Sequence, residues 1–273
     1  MPKTEVLVDG LDHPEGVAWD PRAGVLWAGG EAGQLYRVDL DARTYEVAAQ
    51  APGFVLGLAV DGRGRVVVCC QGARSLCLLE DGAVRTLHDG FTLPNYAAFA
   101  PDGTLYFSDS GSWSRDDGRV FRLDRDGTLT QFSDALPHFP NGCAVTPEGD
   151  WLWMVQSFSP TVNRFDLRTG ELEEVTRLDG TVPDGIAFTE DGGVVVSCYR
   201  PDRIVHIDRD GHTSVLADDP QGTALAAPTN VVFAGARRDR LVSANLGRWH
   251  LTLVETDLTG VPLHYPERWG ADA

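Results

Sequence analysis

Apolar residues run along the chain in short alternating stretches, each cut off by Gly, Pro, Asn or Asp. A period of two marks half-buried strands, and the cut-offs mark tight turns. No window sustains a 3.6-residue period, so helix is not expected. The stretches also repeat. One phrase recurs six times: a residue X, often after Pro and before Gly, then an apolar alternation, a turn and a second apolar run. The copies read HPEGVAWDPRAGVLWAG, FVLGLAVDGRGRVVVCC, LPNYAAFAPDGTLYFSD, FPNGCAVTPEGDWLWMV, VPDGIAFTEDGGVVVSC and APTNVVFAGARRDRLVSA. X is Glu15, Leu56, Asn95, Asn141, Asp184 and Thr229, at successive gaps of 41, 39, 46, 43 and 45 residues.

That period suits a four-stranded blade. In four copies Gly follows X by eight residues (Gly64, Gly103, Gly149, Gly192), where a hairpin turn needs positive φ. Third strands are predicted at 35–38, 75–79, 119–123, 162–166, 203–207 and 250–255. Asp-Gly or Thr-Gly turns lead to the fourth. Residues 5–8 precede the first repeat and are predicted to form the outer strand of the last blade, latching the ring. The fold class is therefore all-β, a six-bladed β-propeller. Residues 1–273 form one domain, with no composition break along the chain.

Composition narrows the partners. The net charge is −17, so nucleic acid is not expected to bind. Five Cys with no CxxC pair predict reduced, buried thiols and a cytoplasmic protein. The start, Met1-Pro2-Lys3-Thr4-Glu5, is unlike a signal peptide, and no stretch is long and apolar enough to span a membrane. A monomer or weak homo-oligomer is expected.

The first strand of a propeller blade lines the central channel, so the six X residues converge on one mouth of it. Asp-Gly occurs eleven times, mostly as plain turns. Asp184-Gly185 differs by its register. It shares a column with Glu15 and Asn141, and Asp191-Gly192 already occupies its hairpin position. Glu15, Asn95, Asn141 and Asp184 concentrate oxygen ligands. Two buried carboxylates repel unless a counter-charge is present. All-oxygen ligation favours a hard divalent cation. The expected ion is Ca²⁺, with Mg²⁺, Mn²⁺ or Zn²⁺ as alternatives.

These motifs resemble the SMP-30/gluconolactonase/luciferin-regenerating-enzyme family over nearly the full length. The resemblance is carried by HPEG at 13–16, LPNYAAFAPDGTLYFSDSGS at 93–112, FPNG at 139–142, VPDGIAF at 182–188 and PTNVVF at 228–233. It implies a metal held by Glu15, Asn141 and Asp184, with Asn95 contacting substrate or a metal-bound water. It also implies hydrolysis of a lactone, a sugar lactone or related cyclic ester. One departure is Tyr96, where the family often has Asp.

On that resemblance the metal is a Lewis acid and Asp184 also takes the proton of the attacking water. Asn95 is expected to donate its amide to the carbonyl or a ring hydroxyl. The loops after each second strand are expected to rim the site, offering Glu31, Gln71, Arg74, Trp113, Arg115, Gln156, Phe158, Tyr199, Arg200, Trp249 and His250. Asn95, Tyr96, Trp113, Arg200 and His250 are the predicted substrate contacts. Rival readings are a non-hydrolytic metal- or small-molecule-binding propeller and a strictosidine-synthase-like enzyme.

Overall fold

The computed structural model describes residues 3–272; Met1 and Pro2, part of the start read above for a leader, and Ala273 lie outside the described residues. Six four-stranded antiparallel sheets form six blades. Their innermost strands are Val17–Asp20, Val55–Val60, Pro94–Phe99, Pro140–Val145, Val182–Phe188 and Pro228–Ala234. Each packs against the innermost strands of both neighbouring blades, and the sixth meets the first, so the ring closes. The predicted third strands are found, for example at Arg119–Leu123 and Arg203–Ile207. The only helix among the described residues is a 3-10 turn at Gly270–Asp272. No helix is long and apolar enough to cross a membrane.

The N-terminal strand Thr4–Asp9 pairs antiparallel with His250–Val254 and is the outermost strand of the sixth blade. The first and last strands of the chain therefore share one sheet, and the ring cannot open without breaking that ladder. The apolar core is divided among the blades and between them. All five cysteines are free and buried.

Glycine does two different jobs here. Gly64, Gly103, Gly149 and Gly192 have φ of 80°, 91°, 79° and 88°, as the hairpin reading requires. The glycines that follow X have no positive φ. They supply room instead. A Cβ on Gly16 would lie 2.0 Å from the Leu56 carbonyl oxygen, and on Gly57 2.4 Å from that of Asn95. On Gly142 it would meet the Asp184 carbonyl at 2.3 Å, and on Gly185 that of Thr229 at 2.7 Å. At these four junctions a blade presses its X carbonyl onto the backbone of the blade before it. At the sixth blade the residue after X is Asn230, whose N–H donates to the Glu15 carbonyl at 3.3 Å.

The repeat did not foretell the C-terminal tail. From Glu255 on, the chain crosses the end of the channel opposite the X column and touches the far end of every innermost strand. Gly260 packs on Phe233, and the Val261 N–H donates to the Phe188 carbonyl. His264 Nε2 lies 2.9 Å from the Thr146 carbonyl, and the Tyr265 hydroxyl donates to that of Trp19. Gly62 donates to the Pro266 carbonyl, and Trp269 stacks edge-on against Phe99. The fully buried Trp269 also donates to Asp61 Oδ2 at 2.8 Å. Arg65 bridges Asp61 and Asp272, and its hydrogen bond holds the Asp272 carboxyl down to about 2.

Replacing Trp269 with Ala removes a whole buried indole and one of the hydrogen bonds to Asp61. It should cost about 3–5 kcal/mol of stability, read as a lowered urea midpoint with an unchanged slope. An unchanged midpoint would show that the tail is not part of the cooperative unit.

Candidate metal centre at the axis of the ring

The X side chains reach the channel by a shared local distortion. In the third blade Pro94 pairs with Asp109, yet the next paired residue, Ala97, faces Phe107. Two residues on the inner strand, Asn95 and Tyr96, oppose one on its neighbour, Ser108. The same step occurs at Val55/Leu58, Pro140/Cys143, Pro183/Ile186 and Pro228/Val231. This is a β-bulge, which bends a strand and re-aims its side chains. The bulge spans X and the residue after it. His13, Phe139 and Ala227, each just before a Pro that precedes X, have φ of 43°, 63° and 49°. Left-handed backbone at such residues is strained, and it is held here by the ring around it.

All six X residues are buried, none more than 6% exposed. Serines just past the ends of the second strands fix how the amides point. Ser110 Oγ donates to the Pro140 carbonyl at 2.7 Å, and Ser157 Oγ donates to the Pro183 carbonyl at 2.7 Å. Each hydroxyl has spent its proton and can only accept. Asn95 Nδ2 donates to Ser110 at 2.9 Å, and Asn141 Nδ2 to Ser157 at 3.1 Å. Both amide oxygens are therefore turned away from the serines. They remain buried with no protein partner, as do Asp184 Oδ1 and Asn230 Oδ1. Asn230 Nδ2 lies 3.4 Å from Glu15 Oε2. Asn95 thus presents an acceptor oxygen, and Ser110 takes one of the two N–H donors of its amide.

The carboxylates are uncompensated by protein. Burial, then the charge of Asp184, pushes the Glu15 carboxyl well above its usual range. Burial raises Asp184 to about 7, with the Asn141 amide offsetting part of the effect. Orphaned buried oxygens are rare in folded proteins, and such a cluster calls for a bound cation or water. Two carboxylates and neutral amide oxygens, without His or Cys, suit a hard divalent ion. Glu15, Asn141 and Asp184 fit that group, and Asn95 and Asn230 offer further oxygens beside it.

The column opens into a cavity of about 200 Å³. Glu15, Leu56, Asn95, Asn141 and Asp184 form its floor, while Gln71, Trp113, Phe158 and Tyr199 stand among its walls. Three predicted contacts are not brought there. Tyr96 alternates away from Asn95 and packs with Cys143 and Val120 between blades, lining the lumen on the tail side. His250 begins a strand, is buried, and places Nε2 2.9 Å from the Ala224 carbonyl. Arg200 hydrogen-bonds Asp202 at 2.8 Å and lies over the Tyr199 ring. Of the other rim candidates, Glu31 pairs with His13 and Gln156 bonds Thr161. Sequence reasoning missed Ser110, Ser157 and Asn230. The recurrence of Ser at the ends of second strands was the available signal.

Comparison with known proteins agrees with this architecture. The SMP-30/gluconolactonase/LRE-like family model matches residues 13–244, and the chain belongs to that family. It is 27% identical to pentonolactonase XacC of Haloferax volcanii, over 90% of this chain and 86% of the relative. Among solved structures it resembles a gluconolactonase, XC5397 of Xanthomonas campestris: TM-score 0.79, 23% identity, covering 94% of this chain and 90% of that one. A calcium-binding protein, regucalcin, of Agrobacterium tumefaciens str. C58 superposes with TM-score 0.80 at 18% identity, covering 97% of each chain.

The raised carboxyls set a pH dependence for metal-free protein. Their folded values exceed the unfolded ones, so the stability these two groups contribute is full below about pH 4 and is lost as pH rises through about 7. Urea midpoints measured with chelator between about pH 5 and 8 should fall with rising pH. Asp184→Asn should flatten that fall. A midpoint that rises over this range would contradict the burial of two unpaired carboxylates.

Proposed function

We propose that this protein is a metal-dependent lactonase, with Glu15, Asn141 and Asp184 holding one divalent ion at the mouth of the channel. The observation that carries the reading is the ring of buried, partnerless oxygens on Asn95, Asn141, Asp184 and Asn230 beside the Glu15 carboxylate. Membership of the family and the lactonase names of its relatives support the reaction class. Ca²⁺ is the ion that best suits an all-oxygen set.

The bound ion supplies Lewis-acid polarisation of the lactone carbonyl. The residues do the rest. Lactone opening adds water to the acyl carbon, breaks the ring acyl–oxygen bond and leaves a hydroxy acid. Asn95 Oδ1 accepts a hydrogen bond from the attacking water and so orients it. Asp184 takes the proton and returns it to the leaving alkoxide. Glu15 and Asp184 bring two negative charges, and Asn141 contributes a neutral oxygen held in place by Ser157. Apolar neighbours such as Leu56 limit water around the reacting atoms.

Metal analysis of the purified chain, followed by assay on a lactone panel with each ion added back, tests this directly. Asp184→Ala should reduce hydrolysis to background and weaken metal binding. Ser157→Ala, which frees the Asn141 amide to rotate, should weaken metal binding about 10–100-fold. Full turnover after thorough chelation, or in the Asp184→Ala protein, would overturn the proposal.

A further inference from the structure

The polar groups around the axial cavity are nearly all committed. Glu15, Asn95, Asn141 and Asp184 serve the oxygen cluster. Ser157 accepts from Asn141 and donates to Pro183. Only Gln71, the Trp113 indole N–H and the Tyr199 hydroxyl remain for a substrate. The rest of the wall is apolar.

That wall has an ordered part. Phe139 and Phe158 stack with centroids 4.5 Å apart, and Trp113 lies 4.8 Å from Phe139 and 6.0 Å from Phe158. Phe139 is buried beneath, while Trp113 is 72% and Phe158 50% exposed. Most other exposed apolar side chains, such as Val6, Val47, Leu172 and Val215, lie on outermost strands. The ring trio instead stands on the loops above the site. Exposed aromatic clusters continuous with a pocket mark a surface that is covered during function.

A polyhydroxylated ring would lose water from several hydroxyls and find three side-chain partners. Each unmet hydroxyl opposes binding. An alkyl or aryl group meets the opposite situation, because it removes carbon surface on both sides from water. Resting on the lactonase reading above, we propose that the substrate is a lactone bearing a hydrophobic alkyl or aryl substituent, which lies against Trp113, Phe139 and Phe158. The lactone carbonyl then faces the oxygen cluster, and the substituent points towards the open mouth.

Hydrolysis-inert lactams separate recognition from turnover. Calorimetric titration of the full chain would compare a γ-lactam carrying a hexyl or phenyl group with a polyhydroxylated γ-lactam, with Ca²⁺ and with chelator. The apolar lactam should bind at least about tenfold more tightly, as expected for several buried methylenes. Trp113→Ala and Phe158→Ala should each shrink that gap, and Trp113→Phe should restore most of it. Both side chains are largely exposed, so neither change empties the core; circular dichroism checks the fold. Equal or tighter binding of the hydroxylated lactam, or no binding of either, overturns the proposal. A protein that opens no lactone yet prefers the apolar lactam would retire the hydrolytic reading and leave only the apolar binding site at Trp113, Phe139 and Phe158 standing. One that turns over sugar lactones and prefers the hydroxylated lactam would do the reverse.

Discussion

Four of the six innermost strands are held to the next by a backbone carbonyl seated where a side chain would otherwise be. Gly16, Gly57, Gly142 and Gly185 leave that space, and the carbonyls of Leu56, Asn95, Asp184 and Thr229 fill it. The approach is too close for any Cβ. It fixes the width of the channel, and the bulge at the same two residues fixes where the X side chains point. The oxygen cluster follows from these two backbone facts. Bulge, glycine and ligand act as one unit, so a methyl group at Gly142 would disturb the position of Asp184 without touching its side chain.

The same geometry carries an energetic penalty. Glu15 and Asp184 lie within each other's field, out of water, and among the described residues no basic side chain pairs with either. Elsewhere the protein pairs its buried charges carefully, as Arg65 does with Asp61 and Asp272. The contrast is informative. A chain able to build that network at the tail leaves its axis electrostatically incomplete. Sites arranged for a ligand are where a fold departs from its own rules.

The sequence made the ring legible because a blade is a local unit. Period, turn glycines and alternation all lie within some forty residues, and the hairpins at Gly64 and Gly103 needed nothing from afar. The X column was legible for the same reason, by register. The rest depends on partners that spacing does not reveal. Ser110 and Ser157 orient amides one column away, through carbonyls of the following blade. Arg200 ends a strand and His250 begins one, at the edges of the expected loops, and Asp202 and the Ala224 carbonyl hold them away from the site. Tyr96 sits beside Asn95 in sequence but faces the next blade's core, because neighbours in a strand point apart. The tail has no repeat to announce it, and only the three-dimensional ring shows that its contacts visit all six blades.

The tail also changes the kind of space the channel is. With residues beyond Glu255 laid across one end, the axis becomes a blind well. Whatever reaches the floor enters and leaves by one doorway. Arrival and departure must alternate, so a departing molecule and its successor compete for the same opening. A long molecule cannot thread through; any part that outreaches the well stays outside, over the rim. The shape of that rim therefore selects among molecules that the floor alone would treat as equal.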